Sequence, residues 1–386
     1  MQQNIKLPFR VGKPVEEEYF IDRENEIKDL IQQIKSMSNT CLLGLRRMGK
    51  TSILFNIVNQ ISDPIPIYIN CYGIPDKRRF ASILSDGTRD AYIAYTGDKK
   101  YGSAIKKHIK ENIEKIAYQL TEMDVSVGHY FRIRVGIKQK EINSDILLED
   151  AFNYAEKLGK NKGKRFVIIL DEFQDIGSRW GDDFLKRLRS IVEKQKNVCY
   201  VFCGSSITFM SSLIEDSRSP FYRQLHRIMV KSLPEKEVKR FVSHRFELCG
   251  YKISDEAINK FIRLTYSIPD YVQRLGIMAS QRSKNITEDV VMRAYEDMLL
   301  ELDAEFRETL SKLNQRSEIY GAILTGFSKC NSLSEAGRFI GYDLGKAMRQ
   351  VIYLRKVGLI EKAGRGNYEI ADPIFKDWLK RNFTGD

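Results

Sequence analysis

The chain has 386 residues, 42% hydrophobic and 30% charged, with 63 lysines and arginines against 51 acids for a net charge of +12. That length and apolar content suit two or three domains with real cores and exclude a disordered or disulfide-stapled chain. No run of about 18 apolar residues occurs, so no membrane span is expected. The first residues, MQQNIKLPFRVGKPVEEE, lack the apolar region of a signal peptide, and the six cysteines show no paired spacing. Reduced thiols in a cytoplasmic protein are therefore expected. The positive charge points either to a nucleic-acid partner or to a lysine-rich proteome bias, and it does not separate the two.

After an extended leader, DRENEIKDLIQQIK predicts a helix with Asp22 as N-cap, followed by Asn25 and Glu26. NTCLLGL reads as a short buried strand, KTSILFNIVNQI as an amphipathic helix, PIPIYINCY as a second strand and KRRFASILSDGTRDAYIAY as a helix. From about Gly97 to Gly136 a lysine-rich helical insertion is expected, returning through a strand at HYFRIRVGIK. SDILLEDAFNYAEKLGK is a helix capped by Ser144 or Asp145, and RFVIILDEFQD is an apolar strand ending in two acids. DDFLKRLRSIVEKQ is a helix and NVCYVFCGSS another apolar strand, with Cys199 and Cys203 in the core. Apolar strands of this kind are covered by helices on both faces, which predicts a doubly wound α/β domain over residues 1–232. PEKEVKRFVSHRFELCGY, SDEAINKFIRLTY and TEDVVMRAYEDMLLELDAEFRETLSKL then predict a helical domain, residues 233–313, with caps at Ser254 and Thr287. In residues 314–386, RSEIYGAILTGF, SLSEAGRFIG and DLGKAMRQVIYLRKVGLI read as three helices, the last the longest. IEKAGRGNYEI reads as a hairpin turning at Gly364 to Asn367. Three helices and a hairpin are winged-helix organisation.

Between the first strand and its helix, Gly44 to Thr51 reads G-L-R-R-M-G-K-T, which fits the phosphate-loop pattern G-x-x-x-x-G-K-[ST] in its proper context. Backbone N–H groups from Arg46 to Lys50 would surround the phosphates, aided by the helix N-terminus. Gly44, Arg47, Met48, Gly49, Lys50, Thr51 and Ser52 are therefore nucleotide-binding candidates. Lys50 supplies a point charge and Thr51 a hydroxyl ligand for Mg2+. Asp171, at the end of IILDEF, is placed to hold Mg2+ directly or through water, and Glu172 to orient or deprotonate the attacking water. The two motifs together imply hydrolysis of a nucleoside triphosphate. Ser205 or Ser206 either senses the γ-phosphate or caps the following helix. Arg218 and Arg223 are finger candidates toward a neighbouring subunit, with surface ion pairing as the alternative. Arg46 and Arg47 are open between phosphate, an acidic neighbour and solvent.

FIDRENEI, GLRRMGKTS, IILDEFQDI, CGSS, SPFYR and YEIADPIFKDWL together resemble the archaeal ATPase family, P-loop ATPases allied to the AAA+ and STAND classes. The resemblance runs from about Phe20 to Leu379. It implies an AAA+-like parallel-sheet core, a helical lid and a C-terminal winged helix. It also implies ATP as the nucleotide, which agrees with the absence of an N-K-x-D guanine motif. A nucleotide-dependent homo-oligomer is expected if the chain is a slow nucleotide switch. Ile21 and Arg23 are carried over as residues near the adenine. Family members have glycine before the lid proline where this chain reads Ser267-Ile268-Pro269, and Arg274, one helical turn beyond, is either a lid-borne sensor arginine or an exposed helix position. The outline also resembles archaeal replication initiators, but their glycine-aspartate-x-arginine sensor is missing.

The third C-terminal helix carries Lys346, Arg349, Arg355 and Lys356 among its polar positions, and the wing adds Lys362 and Arg365. That distribution suits phosphate contacts on DNA. A protein-binding winged helix explains Leu354, Val357 and Leu359 equally well as core.

Overall fold

A computed structural model describes residues 8–12, 14, 17–61, 63–97 and 143–383. The insertion expected from about Gly97 to Gly136, apart from Gly97 itself, and the HYFRIRVGIK strand lie outside the described residues.

Among the described residues, five parallel strands form the central sheet: β1 (Thr40–Leu43), β2 (Ile65–Asn70), β3 (Phe166–Asp171), β4 (Val198–Gly204) and β5 (His226–Met229), in the order β2-β3-β4-β1-β5. Every residue of β1, β3 and β4 is buried, as both-sided helical cover demands. Because side chains alternate along a strand, Leu42, Ile169 and Cys203 face one hydrophobic cluster and Leu43, Ile168 and Phe202 the other. The first face is covered by α1 (Glu24–Lys35) and α2 (Lys50–Gln60). The second is covered by α3 (Lys77–Gly97), α4 (Ser144–Lys162), α5 (Gln174–Lys194) and α6 (Ile207–Glu215). The edge strand β5, with His226 and Arg227 exposed, was not anticipated.

Beyond the sheet, α7 (Glu235–Leu248), α8 (Asp255–Thr265), α9 (Pro269–Arg282) and α10 (Glu288–Asn314) pack together, with a two-residue parallel pair β6 (Lys252–Ile253) and β7 (Asn285–Ile286). Ser254 and Thr287 cap α8 and α10 as expected, accepting from Ala257 N and Val290 N. The C-terminal end comprises α11 (Ile319–Lys329), α12 (Leu333–Phe339), α13 (Met348–Lys356), the antiparallel pair β8 (Ile360–Lys362) and β9 (Tyr368–Ile370), and α14 (Pro373–Phe383). The 27-residue α10 reaches across both regions. Its Phe306 ring lies 5.0 Å from Phe375 and 5.5 Å from Trp378.

Three local expectations are corrected. Asp22 does not cap α1: Asp22 and Arg23 both take left-handed backbone, and Arg23 occupies the cap position without a side-chain cap bond. The cap of α4 is Asn143, whose side chain accepts from Asp145 N, so neither Ser144 nor Asp145 serves. The third C-terminal helix is shorter than expected. Gly345 N donates to Asp343 Oδ1 at 2.9 Å and Lys346 N to Asp343 O at 3.0 Å, so a tight turn holds Lys346 ahead of the helix.

Candidate nucleotide site

The loop between β1 and α2 depends on two glycines. A Cβ at Gly44 would stand 2.3 Å from Val230 O, and Gly49 has φ +82°, left-handed backbone that other residues adopt at a cost. These turns bring the N-terminus of α2 to the carboxyl ends of the strands, where a doubly wound sheet places its ligand crevice. Lys50 is 5% exposed, and its Nζ donates to Gly44 O and Leu45 O, both at 2.8 Å.

Asp171 ends β3 beside this loop. Its Oδ2 accepts from Thr51 Oγ1 and from Tyr68 OH, each at 2.8 Å, while Oδ1 accepts from Glu172 N at 3.0 Å. Burial, then the charge of Glu172, push the Asp171 carboxyl up, and hydrogen bonds from Cys203, Thr51 and Tyr68 pull it back in part. Burial, followed by the Asp171 charge, also holds the Tyr68 and Cys203 protons on well above their ordinary values. Glu172 has φ +50°, which turns its side chain toward the loop after β4. There Ser205 Oγ donates to Glu172 Oε2 at 2.7 Å. Gln174 Nε2 donates to the same oxygen and to Ser205 Oγ at 3.2 Å, while Gln174 Oε1 accepts from Ser205 N at 3.2 Å. The two serines have different partners. Ser205 faces Glu172, and Ser206 caps α6 through Phe209 N and donates to Lys356 O at 2.6 Å.

The cleft around the loop has a volume of about 540 Å³. Ile21, Arg23, Arg46, Arg47, Met48, Gly49, Lys50, Thr51, Ser52, Glu172 and Arg274 all line it. Arg23 is 4% exposed and braces the loop, donating to Met48 O at 3.2 Å and Lys231 O at 2.5 Å and pairing with Glu26. The leader forms one wall. Phe9 packs edge-on against Phe246 at 4.9 Å, Arg10 N donates to Gln273 Oε1 at 3.0 Å, and Gln273 Nε2 donates to Tyr19 O at 2.8 Å.

Arg47 finds acidic neighbours. With φ +67°, it points away from the loop, and its guanidinium donates to Asp270 at 2.5 Å and Glu305 at 2.7 Å. It stands 3.8 Å from Asp372 and 5.0 Å over the Tyr271 ring. Burial opposes its charge, but Tyr271, Asp270, Glu305 and Asp372 more than offset this and raise its pKa. Tyr271 OH in turn donates to Asp372. Arg274 is not an exposed position: it pairs with Asp270 at 2.8 Å and with Glu301. Ser267, standing where glycine was expected, has φ +55°, so the serine takes the left-handed turn itself.

Arg218 and Arg223 line no part of the cleft. Arg218 is paired with Asp216 and its side chain is 88% exposed; Arg223 lies over the Tyr222 ring at 5.0 Å. Reading the sequence missed Gln174, Tyr68 and Gln273, since a glutamine in a helix turn and a tyrosine in a strand carry no signal of their partners. Among the described residues, all six cysteines are free, no cluster of metal-binding side chains of three or more occurs, and no helix is long and apolar enough to cross a membrane.

A family model for an ATPase domain found predominantly in Archaea matches residues 20–275. Two uncharacterised ATP-binding proteins of Methanocaldococcus jannaschii are similar. One is 27% identical over 201 residues, 48% of this chain and 53% of the relative. The other is 24% identical over 250 residues, 61% of this chain and 64% of the relative. The chain thus spans between half and two thirds of the length of these two relatives. A Walker-type ATPase of Pyrococcus abyssi superposes with a TM-score of 0.71 over 97% of this chain and 100% of the other, at 20% identity. At that identity the likeness shows the fold.

Proposed function

The chain belongs to the family of ATPase domains found predominantly in Archaea, and from that premise we propose that it binds ATP and hydrolyses it with Mg2+, coupling its nucleotide state to DNA through its C-terminal end. The observation that carries this reading is the run of hydrogen bonds that joins Thr51 to Asp171, Asp171 to Glu172 and Glu172 to Ser205, beside Lys50 on its loop. We read three units: a core over 1–232, a helical lid over 233–313 and a winged helix over 314–386.

The loop N–H groups and Lys50 bind the β- and γ-phosphates. Thr51 Oγ1 and the Asp171 carboxylate are hard oxygen donors 2.8 Å apart at the helix start, a set that fits Mg2+. Held there, Mg2+ would supply charge neutralisation for the phosphate oxygens. Glu172 accepts the proton of the attacking water, held in orientation by Ser205 and Gln174. Ile21 and Arg23 form the base end of the cleft with the leader. Arg218 and Arg223 reach a nucleotide only across a subunit boundary, in a nucleotide-dependent homo-oligomer.

For DNA, Lys346, Arg349, Lys356, Lys362 and Arg365 are exposed and Arg355 is half-buried, giving a basic turn, helix and hairpin. A second reading, a slow switch that binds protein or itself, is favoured by one observation. The end of α13 is docked on the core, with Lys356 O bonded to Ser206 and a Cβ at Gly358 falling 3.6 Å from Ser205 O. The test is ATP turnover by the full chain with and without duplex DNA, beside Lys50→Ala and Glu172→Gln. We expect Lys50→Ala to lose ATP binding, and Glu172→Gln to keep binding but lose turnover roughly 100-fold or more. DNA stimulation that falls steeply with salt supports the first reading, and slow turnover indifferent to DNA supports the switch. Wild-type protein that binds no ATP refutes both.

A further inference from the structure

Strand β2 is apolar along its buried length except at Tyr68, which is 4% exposed. A buried phenol needs a partner for its O–H. Tyr68 takes neither backbone nor solvent but Asp171 Oδ2, at 2.8 Å, the same oxygen that accepts from Thr51. Its ring is held edge-on to Phe55 at 5.3 Å, and Phe55 lies on α2, the helix that begins with Lys50 and Thr51. One side chain thus ties the carboxylate of β3 to the helix that carries the phosphate loop.

We propose that Tyr68 is a positioning residue for the divalent cation, fixing the Asp171 carboxylate in the rotation at which Thr51 Oγ1 and Asp171 are presented together. This rests on the Mg2+ reading above. The hydroxyl's hydrogen bond goes to Asp171, so Tyr68 acts through that carboxylate. Without its hydroxyl, Oδ2 keeps only the O–H of Thr51 and Oδ1 the N–H of Glu172, so the carboxylate is held less firmly against rotation about its Cβ–Cγ bond. Partners of this kind behind a metal ligand are worth about 10- to 100-fold in metal affinity.

The test is binding of a fluorescent ATP analogue to wild type and Tyr68→Phe, titrated with Mg2+ and repeated in EDTA. Expected are equal affinities in EDTA within about twofold and a half-saturating Mg2+ concentration raised about tenfold or more in the variant. In an Asp171→Asn background the effect of Tyr68→Phe disappears. If Tyr68→Phe does not fold, Phe55→Leu, which releases the ring but keeps the hydroxyl, shows a smaller shift in the same direction. An unchanged Mg2+ midpoint, a loss equal in EDTA and Mg2+, or an effect that persists in Asp171→Asn overturns the proposal. A wild type whose binding ignores Mg2+ refutes the metal reading itself, a result visible before any variant is made.

Discussion

Arg47→Met keeps the apolar stem of the side chain and removes its charge from a junction of the loop, α9, α10 and the start of α14. The cost is built from its contacts. The charge-assisted bond to Asp270 at 2.5 Å is partly buried and is worth about 1–2 kcal/mol net, held to that because Arg274 still pairs with Asp270. The Tyr271 ring adds about 0.5–1 kcal/mol. Glu305 is 52% exposed, so that pair adds at most about 0.5 kcal/mol. Asp372 loses its nearest cation and keeps only Tyr271 and backbone donors, about 1 kcal/mol more. The sum is about 3 kcal/mol. At roughly 2 °C per kcal/mol for a chain of this size, Tm falls by about 6 °C. Thermal unfolding followed by circular dichroism measures it, with Arg46→Met as control. Arg46 is exposed, and its variant should stay within about 0.5 kcal/mol of wild type. Equal behaviour of the two variants, or a loss below about 1 kcal/mol for Arg47→Met, refutes the reasoning.

Ser206→Ala removes both the α6 cap and the bond to Lys356 O, and it should cost about 1–2 kcal/mol in the same assay without lowering ATP affinity. Burial raises the Asp372 carboxyl, against Tyr271, Arg47 and the N–H groups of Phe375 and Ile374. The folded state therefore holds that proton more tightly than the unfolded chain, whose value lies near 3.9. The contribution of this group favours folding below that pH and is lost as pH rises through the raised folded value. The stability of wild type relative to Asp372→Asn should accordingly decline from about pH 3.5 upward and then level off. A difference that grows with pH contradicts the assignment.

The phosphate loop was legible because three local signals coincide there: an apolar strand, glycines at fixed spacing, and Lys50-Thr51 opening an amphipathic helix. Asp171 and Glu172 were legible for the same reason, a buried run ending in charge. Long-range partners were not. Arg47 meets Asp270 and Glu305 at separations of 223 and 258 residues, and no local pattern encodes them. The cap of α4 lies one or two residues ahead of the expected Ser144 or Asp145 because Asn143, Ser144 and Asp145 are all capable, and backbone geometry chooses among them. Helix α13 was overdrawn because Leu344 and Ala347 continue the apolar period through what is a turn around Gly345.

The wall of the cleft that is made of leader sets an order of events during synthesis. Arg10 precedes Gln273 by 263 residues, and Pro8 O meets Arg245 Nε across 237. At a ribosomal rate of about 5–20 residues per second, the leader waits roughly 13 to 50 s for its partner helix. The five described strands of the sheet are made once Met229 has been added, before α9 exists. The residues of these strands and of the phosphate loop therefore exist before the α9 residues that line the cleft with them, Pro269, Asp270, Gln273 and Arg274. Phe9, destined for full burial, gains the ring of Phe246 before α9 is made and the gap left by Gly276 only with that helix.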